Sequence, residues 1–193
     1  MRKQTLLGLF LLATGLLNAQ TETLFGGTNR IGGFGGPNFQ FATFNSDFAY
    51  YSGGGGGIIV NGQFFIGGFG MSLQSDHLVT IDQEDYTVDF GYGGLWLGYV
   101  HNANKLVHYT ISLPIGGGGI CFEQVDSDEF IPDDDVLVMN PNLGIELNLT
   151  SWMKLNASAG YQFVRGQNTT YISSEALNTP TINIGLKFGY FAE

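Results

Sequence analysis

The chain is poor in cysteine, in positive charge and in long apolar runs. Cys121 is its only cysteine among 193 residues, so neither an internal disulfide nor a cysteine zinc cluster can form. Seven basic residues stand against seventeen acidic ones. That balance argues against a nucleic-acid partner, whose phosphates demand Lys and Arg. Past residue 20 no stretch has the unbroken apolar length of a membrane-crossing helix. No stretch reads as a convincing helix of any kind. The run "GGFGGP" lacks the spacing and following helix of a dinucleotide-binding loop.

What is present starts with "MRKQTLLGLFLLATGLLNAQ". Arg2 and Lys3, the short apolar run Leu6 to Leu17 and the small Ala19 have the form of a secretory signal peptide over residues 1–19. Its removal would leave five basic residues against seventeen acidic, a net charge of −12. No cysteine stands directly after the cut, where Gln20 follows Ala19, so a lipid anchor is not indicated. Residues 20–37 read as a glycine-rich lead-in, and 38–193 as one domain.

That domain alternates. In "TPTINIGLKFGYFAE", Ile182, Ile184, Leu186, Phe188 and Tyr190 share one parity; Thr181, Asn183, Gly185, Lys187 and Gly189 share the other. Such alternation predicts a two-faced strand. "KLVHYTISLPIGGGG", "NPNLGIELNL" and "KLNASAGYQFV" repeat it. Earlier strands are expected at about Asn38–Phe44, Phe48–Val60, Gln63–Leu73 and Tyr86–Val100. Asn61-Gly62 is a two-residue hairpin signal. Pairing about it would set Gly53 opposite Gly70, Gly55 opposite Gly68 and Gly56 opposite Gly67.

The direction of the greasy face decides the class. In a soluble β-sandwich that binds a ligand or partner it points to a core; in a membrane barrel it points to lipid. From Asn61-Gly62 onward, short and long connections alternate, the rhythm of an up-and-down barrel with tight turns at one end. A sandwich has no reason to sort its loops this way. The polar parity is also short of charge, carrying mostly Asn, Ser, Thr, Gly and Gln, with Glu146, Lys154, Gln162 and Lys187 among them. Water-facing strands are richer in Lys and Glu. Compact hydrogen-bonding groups and an occasional ion pair suit a small barrel interior. Pairing Asn148 with Lys154 would place Glu146 diagonal to Lys154. Tyr99, Trp152, Phe163, Tyr190 and Phe191 fit aromatic girdles. The expected fold is an all-β, eight-stranded antiparallel up-and-down transmembrane β-barrel.

In this pattern, from about Phe39 to Phe191, the chain resembles the small eight-stranded outer-membrane β-barrel proteins of Gram-negative bacteria, of the OmpX and OmpA-barrel types. The closing strand "TINIGLKFGYF" looks like the aromatic-ending signal, here Phe188, Tyr190 and Phe191, read by the barrel-insertion machinery. Ala192 and Glu193 follow it, a departure from that ending. "NLTSWMKLNASAGYQF" is similar to a periplasmic hairpin of such barrels. The glycine runs and "GYGGLWLGYV…KLVHY" resemble a glycine-rich subgroup of small barrel-like proteins, a likeness that implies no activity. The resemblance implies an outer-membrane location among its lipids, and a structural or adhesive role, or that of an accessory subunit beside another outer-membrane protein.

Two features invite chemistry. "EQVDSDEFIPDDD" gathers Asp126, Asp128, Glu129, Asp133, Asp134 and Asp135, hard oxygens suited to Ca²⁺ or Mg²⁺. It has no EF-hand spacing, and a solvated acidic loop is the simpler reading. No cofactor is expected otherwise. Ser75, Asp76 and His77 are the one local set resembling a hydrolase triad, but adjacent residues rarely converge, so no enzyme is expected. Gly53, Gly55, Gly56, Gly67, Gly68 and Gly70 form a glycine wall. Either it makes room for Tyr92 and Trp96, or it offers a smooth patch to a partner.

Overall fold

The computed structural model describes residues 30–44, 46–81, 84–124, 130–166 and 177–192, the side chains of 79–81, 124 and 130–134 excepted. Ten strands are formed: β1 (Ile31–Phe44), β2 (Asp47–Val60), β3 (Phe64–Leu73), β4 (Leu78–Ile81), β5 (Glu84–His101), β6 (Val107–Gln124), β7 (Phe130–Met139), β8 (Asn142–Asn148), β9 (Met153–Gly166) and β10 (Thr179–Tyr190). Every pairing is antiparallel, and β1 pairs with both β2 and β10, so the sheet closes. Closure leaves no second sheet, which rules out the sandwich alternative; among the described residues only the short β4 is paired on one side alone.

The ten strands make eight staves. β7 and β8 both lie between β6 and β9 in one continuous register: Met139 faces Ile115 and Asn142 faces Ser112. Pro141, which has no N–H to give the ladder, interrupts them. The Asn140 N–H still reaches the Pro114 carbonyl at 2.9 Å. β4 likewise continues β3 along the same edge of β5.

The greasy parity points outward. Ile145 is 50% exposed, Ile182 58% and Ile184 42%, whereas Glu146, Lys154, Asn183 and Lys187 are buried. Outward on β9 lie Leu155, Ala157, Ala159, Tyr161 and Phe163. That span is roughly 26 Å along the strand at ~3.3 Å per residue, or about 20 Å of height at the tilt of ~40° usual in membrane barrels.

At the loop end the polarity reverses. Inside, Phe44, Tyr51, Phe90, Ile120, Phe122 and Val164 belong to one buried apolar cluster. Outside, Asp89, Glu123 and Asp135 are exposed. An apolar inside with an acidic outside is the packing of a barrel standing in water, so the wall rises beyond its apolar belt. At the turn end a second apolar cluster includes Phe34, Ile59, Phe65, Val100 and Phe191.

Three sequence expectations are corrected. β1 begins at Ile31, so residues 31–37 of the supposed lead-in are barrel wall. β7 takes in residues 130–139, so Asp133, Asp134 and Asp135 lie on a strand rather than in a loop. The β2–β3 register is shifted by one: Gly53 faces Met71, Gly55 faces Phe69, Gly56 faces Gly68 and Gly54 faces Gly70. Asn61 (φ 54°) and Gly62 (φ 65°) do form the expected turn, closed by the Gln63 N–H on the Val60 carbonyl at 3.0 Å. Pairing, however, resumes only at Phe64, leaving Gln63 as an extra residue.

Candidate functional site

The turn-end half of the barrel encloses an ionic cluster. Glu146 on β8 lies opposite His108 on β6, and Lys154 on β9 lies opposite Lys187 on β10. The Glu146 carboxylate accepts from Lys187 Nζ at 2.6 Å and stands 3.2 Å from His108 Nε2 and 3.8 Å from Lys154 Nζ. Asn148 does face Lys154, which makes Glu146 its diagonal neighbour as expected. Aromatic rings complete the shell. Lys187 Nζ lies 5.1, 4.9 and 5.5 Å from the Phe34, Phe65 and Trp96 ring centres, and Lys154 Nζ 4.3 Å from that of Phe191. Ring faces attract a desolvated ammonium, so the cage adds to the carboxylate in holding buried cations.

Gln162 does not join this cluster. It belongs to an amide layer nearer the loop end. Gln40 Nε2 donates to Gln162 Oε1 at 2.8 Å, Asn140 Nδ2 donates to Gln40 Oε1 at 2.8 Å, and the Tyr92 hydroxyl is shared between both acceptors. Sequence reasoning did not single out Gln40, Asn140 or His108 as partners. Parity alone could have found His108, which sits on the polar side of its strand. It could not have said that these strands meet.

Apolar packing above the amide layer and below the ionic cluster closes both ends. Purified protein in planar bilayers should therefore give no steady open-channel current under a 100 mV-scale potential; stable conducting steps would contradict a filled interior.

The glycine wall divides by face. Gly53, Gly55 and Gly67 point inward, and Gly56, Gly68 and Gly70 outward. A Cβ on Gly55 would meet the Gly68 carbonyl oxygen at 2.6 Å and Phe69 and the Trp96 ring at 3.1 Å each, which supports the room-making account there; outward Gly56 is closed in as well, its Cβ meeting the Phe34 carbonyl oxygen at 2.5 Å. One on Gly68 would meet nothing nearer than 3.6 Å, and one on Gly70 nothing within 4 Å. Gly55→Leu should lose several-fold in folded yield while Gly70→Leu folds normally; equal yields would remove the distinction.

The closing residues also divide. Phe188 and Tyr190 are exposed on the outer wall, with Trp152 stacked 6.1 Å from Phe188. Phe191, expected in a girdle, is instead buried inside the turn end beside Phe34, 6.3 Å between ring centres. The chain turns in after Tyr190, and Ala192 adopts φ 57°.

At the loop end Ser75 Oγ lies 2.9 Å from His77 Nε2. The same oxygen accepts the Tyr50 N–H at 3.2 Å, completing the ladder where β3 breaks off. His77 packs on Phe44, 4.7 Å between ring centres, and so caps the apolar cluster. Burial lowers its pKa, opposed by the charges of Asp47 and Asp76. A histidine harder to protonate when folded makes stability fall as the pH drops through its unfolded value of about 6.5. The acidic candidates Asp126, Asp128 and Glu129 lie outside the described residues, as do the side chains of Asp133 and Asp134. Asp135 is exposed on β7, and no group of three metal-ligating side chains occurs among the described residues.

A closed sheet with an aliphatic exterior and an ionic interior defines a transmembrane β-barrel, since only closure satisfies the backbone in hydrocarbon. More narrowly, the fold is that of the small eight-stranded outer-membrane barrels. The chain is similar to Neisserial surface protein A at 9% identity and TM-score 0.61, over 82% of this chain and 96% of the other. It is similar to the N-terminal β-barrel domain of Pseudomonas aeruginosa OprF at 13% identity and TM-score 0.55, over 83% and 98%. No protein-family model matches the sequence, and no curated protein is similar to it in sequence.

Proposed function

We propose that this chain is a non-enzymatic barrel of a bacterial outer membrane that serves as an accessory subunit, offering its glycine flank to another membrane protein. The observation that carries this is a run of outward glycines crossing adjacent staves. Gly54 pairs with Gly70, Gly70 with Gly93, and Gly93 with Gly117, with Pro37 beside Gly54 at the start. Gly35, Gly56 and Gly68 form a second row nearer the turn end.

Strands lose stability when glycine replaces a β-branched residue, and the opposite flank, with Leu143, Ile145, Ile182 and Ile184, bears that normal complement. At Gly68, Gly70 and Gly117 a Cβ would meet no atom closer than 3.6 Å. Internal packing therefore does not require glycine at these three, whereas a Cβ on Gly54, Gly56 or Gly93 would meet neighbouring backbone at 2.5–2.7 Å. Within a bilayer, small residues let two backbones approach closely, and van der Waals contact drives association. The Ser75–His77 pair is accounted for by the ladder and cap it completes, which supports the non-enzymatic reading.

The test is co-purification from detergent-solubilised membranes. The triple variant Gly68→Leu, Gly70→Leu, Gly117→Leu should fold, keep its heat-modifiable migration and lose its partner at least tenfold. Unchanged recovery of the same partner would end the subunit reading while leaving the barrel itself intact.

A further inference from the structure

The lipid-facing wall is grooved on the flank opposite the glycines. On β9 the outward residues Ala157 and Ala159 carry only a methyl group. Ala157 faces Ile145 on β8 and Ile184 on β10; Ala159 faces Leu143 and Ile182. These four neighbours are 42–63% exposed and stand as walls above the alanine floor. The result is an open apolar depression of about 430 Å³ that also takes in Tyr109. Leu155 and Tyr161, the next outward residues of β9, stop it below and above.

Its dimensions select the occupant. Adjacent staves lie about 4.8 Å apart, so the walls stand roughly 10 Å apart centre to centre. Their own side chains take up half of that, which leaves the width of a single hydrocarbon chain. An α-helix, about 10 Å across, cannot enter, and neither can a strand with its side chains. From Leu155 to Tyr161 is roughly 20 Å along β9. That is about 15 Å of height at the usual tilt, the depth of one leaflet. The glycine flank differs in kind. There Gly54, Gly70, Gly93 and Gly117 occupy neighbouring staves, so no wall holds a partner's backbone away from them.

Charge supplies the headgroup. Among the described residues every exposed acid, Asp89, Glu123 and Asp135 included, lies at the loop end. The turn end instead presents Lys105, exposed in the β5–β6 turn two residues before β6 begins. Tyr109, exposed on β6, joins the depression at its turn-end side, and Trp152 stands exposed at the foot of β9. A phosphodiester at this level meets a cation and two girdle aromatics. We propose that the trough holds one acyl chain of an anionic glycerophospholipid from the leaflet at the turn end, its phosphate held by Lys105. Lipid tails elsewhere are as apolar as leucine, so burial alone gives no preference. Retention comes from van der Waals fit along the alanine floor and from the lysine.

The experiment uses the full folded chain in micelles doped with phosphatidylglycerol or phosphatidylcholine, read by native mass spectrometry. Phosphatidylglycerol should be retained up to a single molecule per chain. It should be held about fivefold better than phosphatidylcholine, the worth of one lysine beside an anionic headgroup. Lys105→Gln should erase that preference; a preference left unchanged would overturn the headgroup assignment. Filling the floor (Ala157→Phe, Ala159→Phe) or lowering the walls (Ile145→Ala, Ile182→Ala) should each cost retention several-fold and leave heat-modifiable migration intact. The two variants alter bulk in opposite directions, so a shared loss reports the trough rather than a packing defect. Unchanged retention in both would overturn the proposal, as would uptake that rises without saturating, the behaviour of bulk lipid. So would loss of a co-purifying protein with lipid retention unchanged, because the trough would then seat a protein side chain.

Discussion

Glu146→Ala is expected to destabilise the folded barrel by about 3–5 kcal/mol, the usual cost of leaving a buried cation without its counter-charge. Lys187 Nζ is 2.6 Å from the carboxylate and almost fully enclosed, so water cannot take over the role of the lost oxygens. Ring faces at 4.9–5.5 Å soften that loss without replacing a full negative charge. Urea titration of the heat-modifiable band would read the change. The double variant Glu146→Leu, Lys187→Met should recover much of it, because replacing a buried pair by apolar groups of similar size is often close to neutral. Equal losses in the single and double variants would mean that Glu146 acts through something other than this pair.

The second large effect concerns the outer wall. Ile184→Arg should cost about 2–4 kcal/mol if its side chain meets the bilayer midplane, and Ile145→Arg a similar amount. The same change at Asp89 or Asp135, on the exposed loop-end wall, should lie within about 0.5 kcal/mol of the parent. In water the contrast would vanish, since Ile184 is already 42% exposed and an arginine there would simply be solvated. The comparison thus turns on the medium around the barrel, not on packing within it.

The eight staves and their inward parity were legible in the second half of the sequence because alternation there is strict. "NLGIELN" and "TINIGLKFGY" carry almost nothing ambiguous, and the Glu146–Lys154 diagonal followed from one short turn. In the first half both parities hold glycine or aromatic residues, so nothing in the pattern penalised a one-residue slip. Gln63 made that slip, placing Phe69 rather than Gly68 opposite Gly55. Phe191 was misplaced for another reason. Strand periodicity ends at Tyr190, and a chain that turns inward leaves no trace in alternation. The loop-end reversal was hidden too, because Val88, Phe90, Ile120 and Phe122 share the inward parity of the polar residues below them. Only their height in the barrel distinguishes the two zones.

The central claim is that the aliphatic parity meets hydrocarbon. Single cysteines at Ile145, Ile184 and, as an inward control, Asn183, each in a Cys121→Ser background, can carry a nitroxide label in lipid vesicles. Power saturation should find labels at 145 and 184 accessible to oxygen and shielded from a water-soluble nickel chelate, with 183 shielded from both. Free access of the nickel chelate to 145 and 184 would contradict the account.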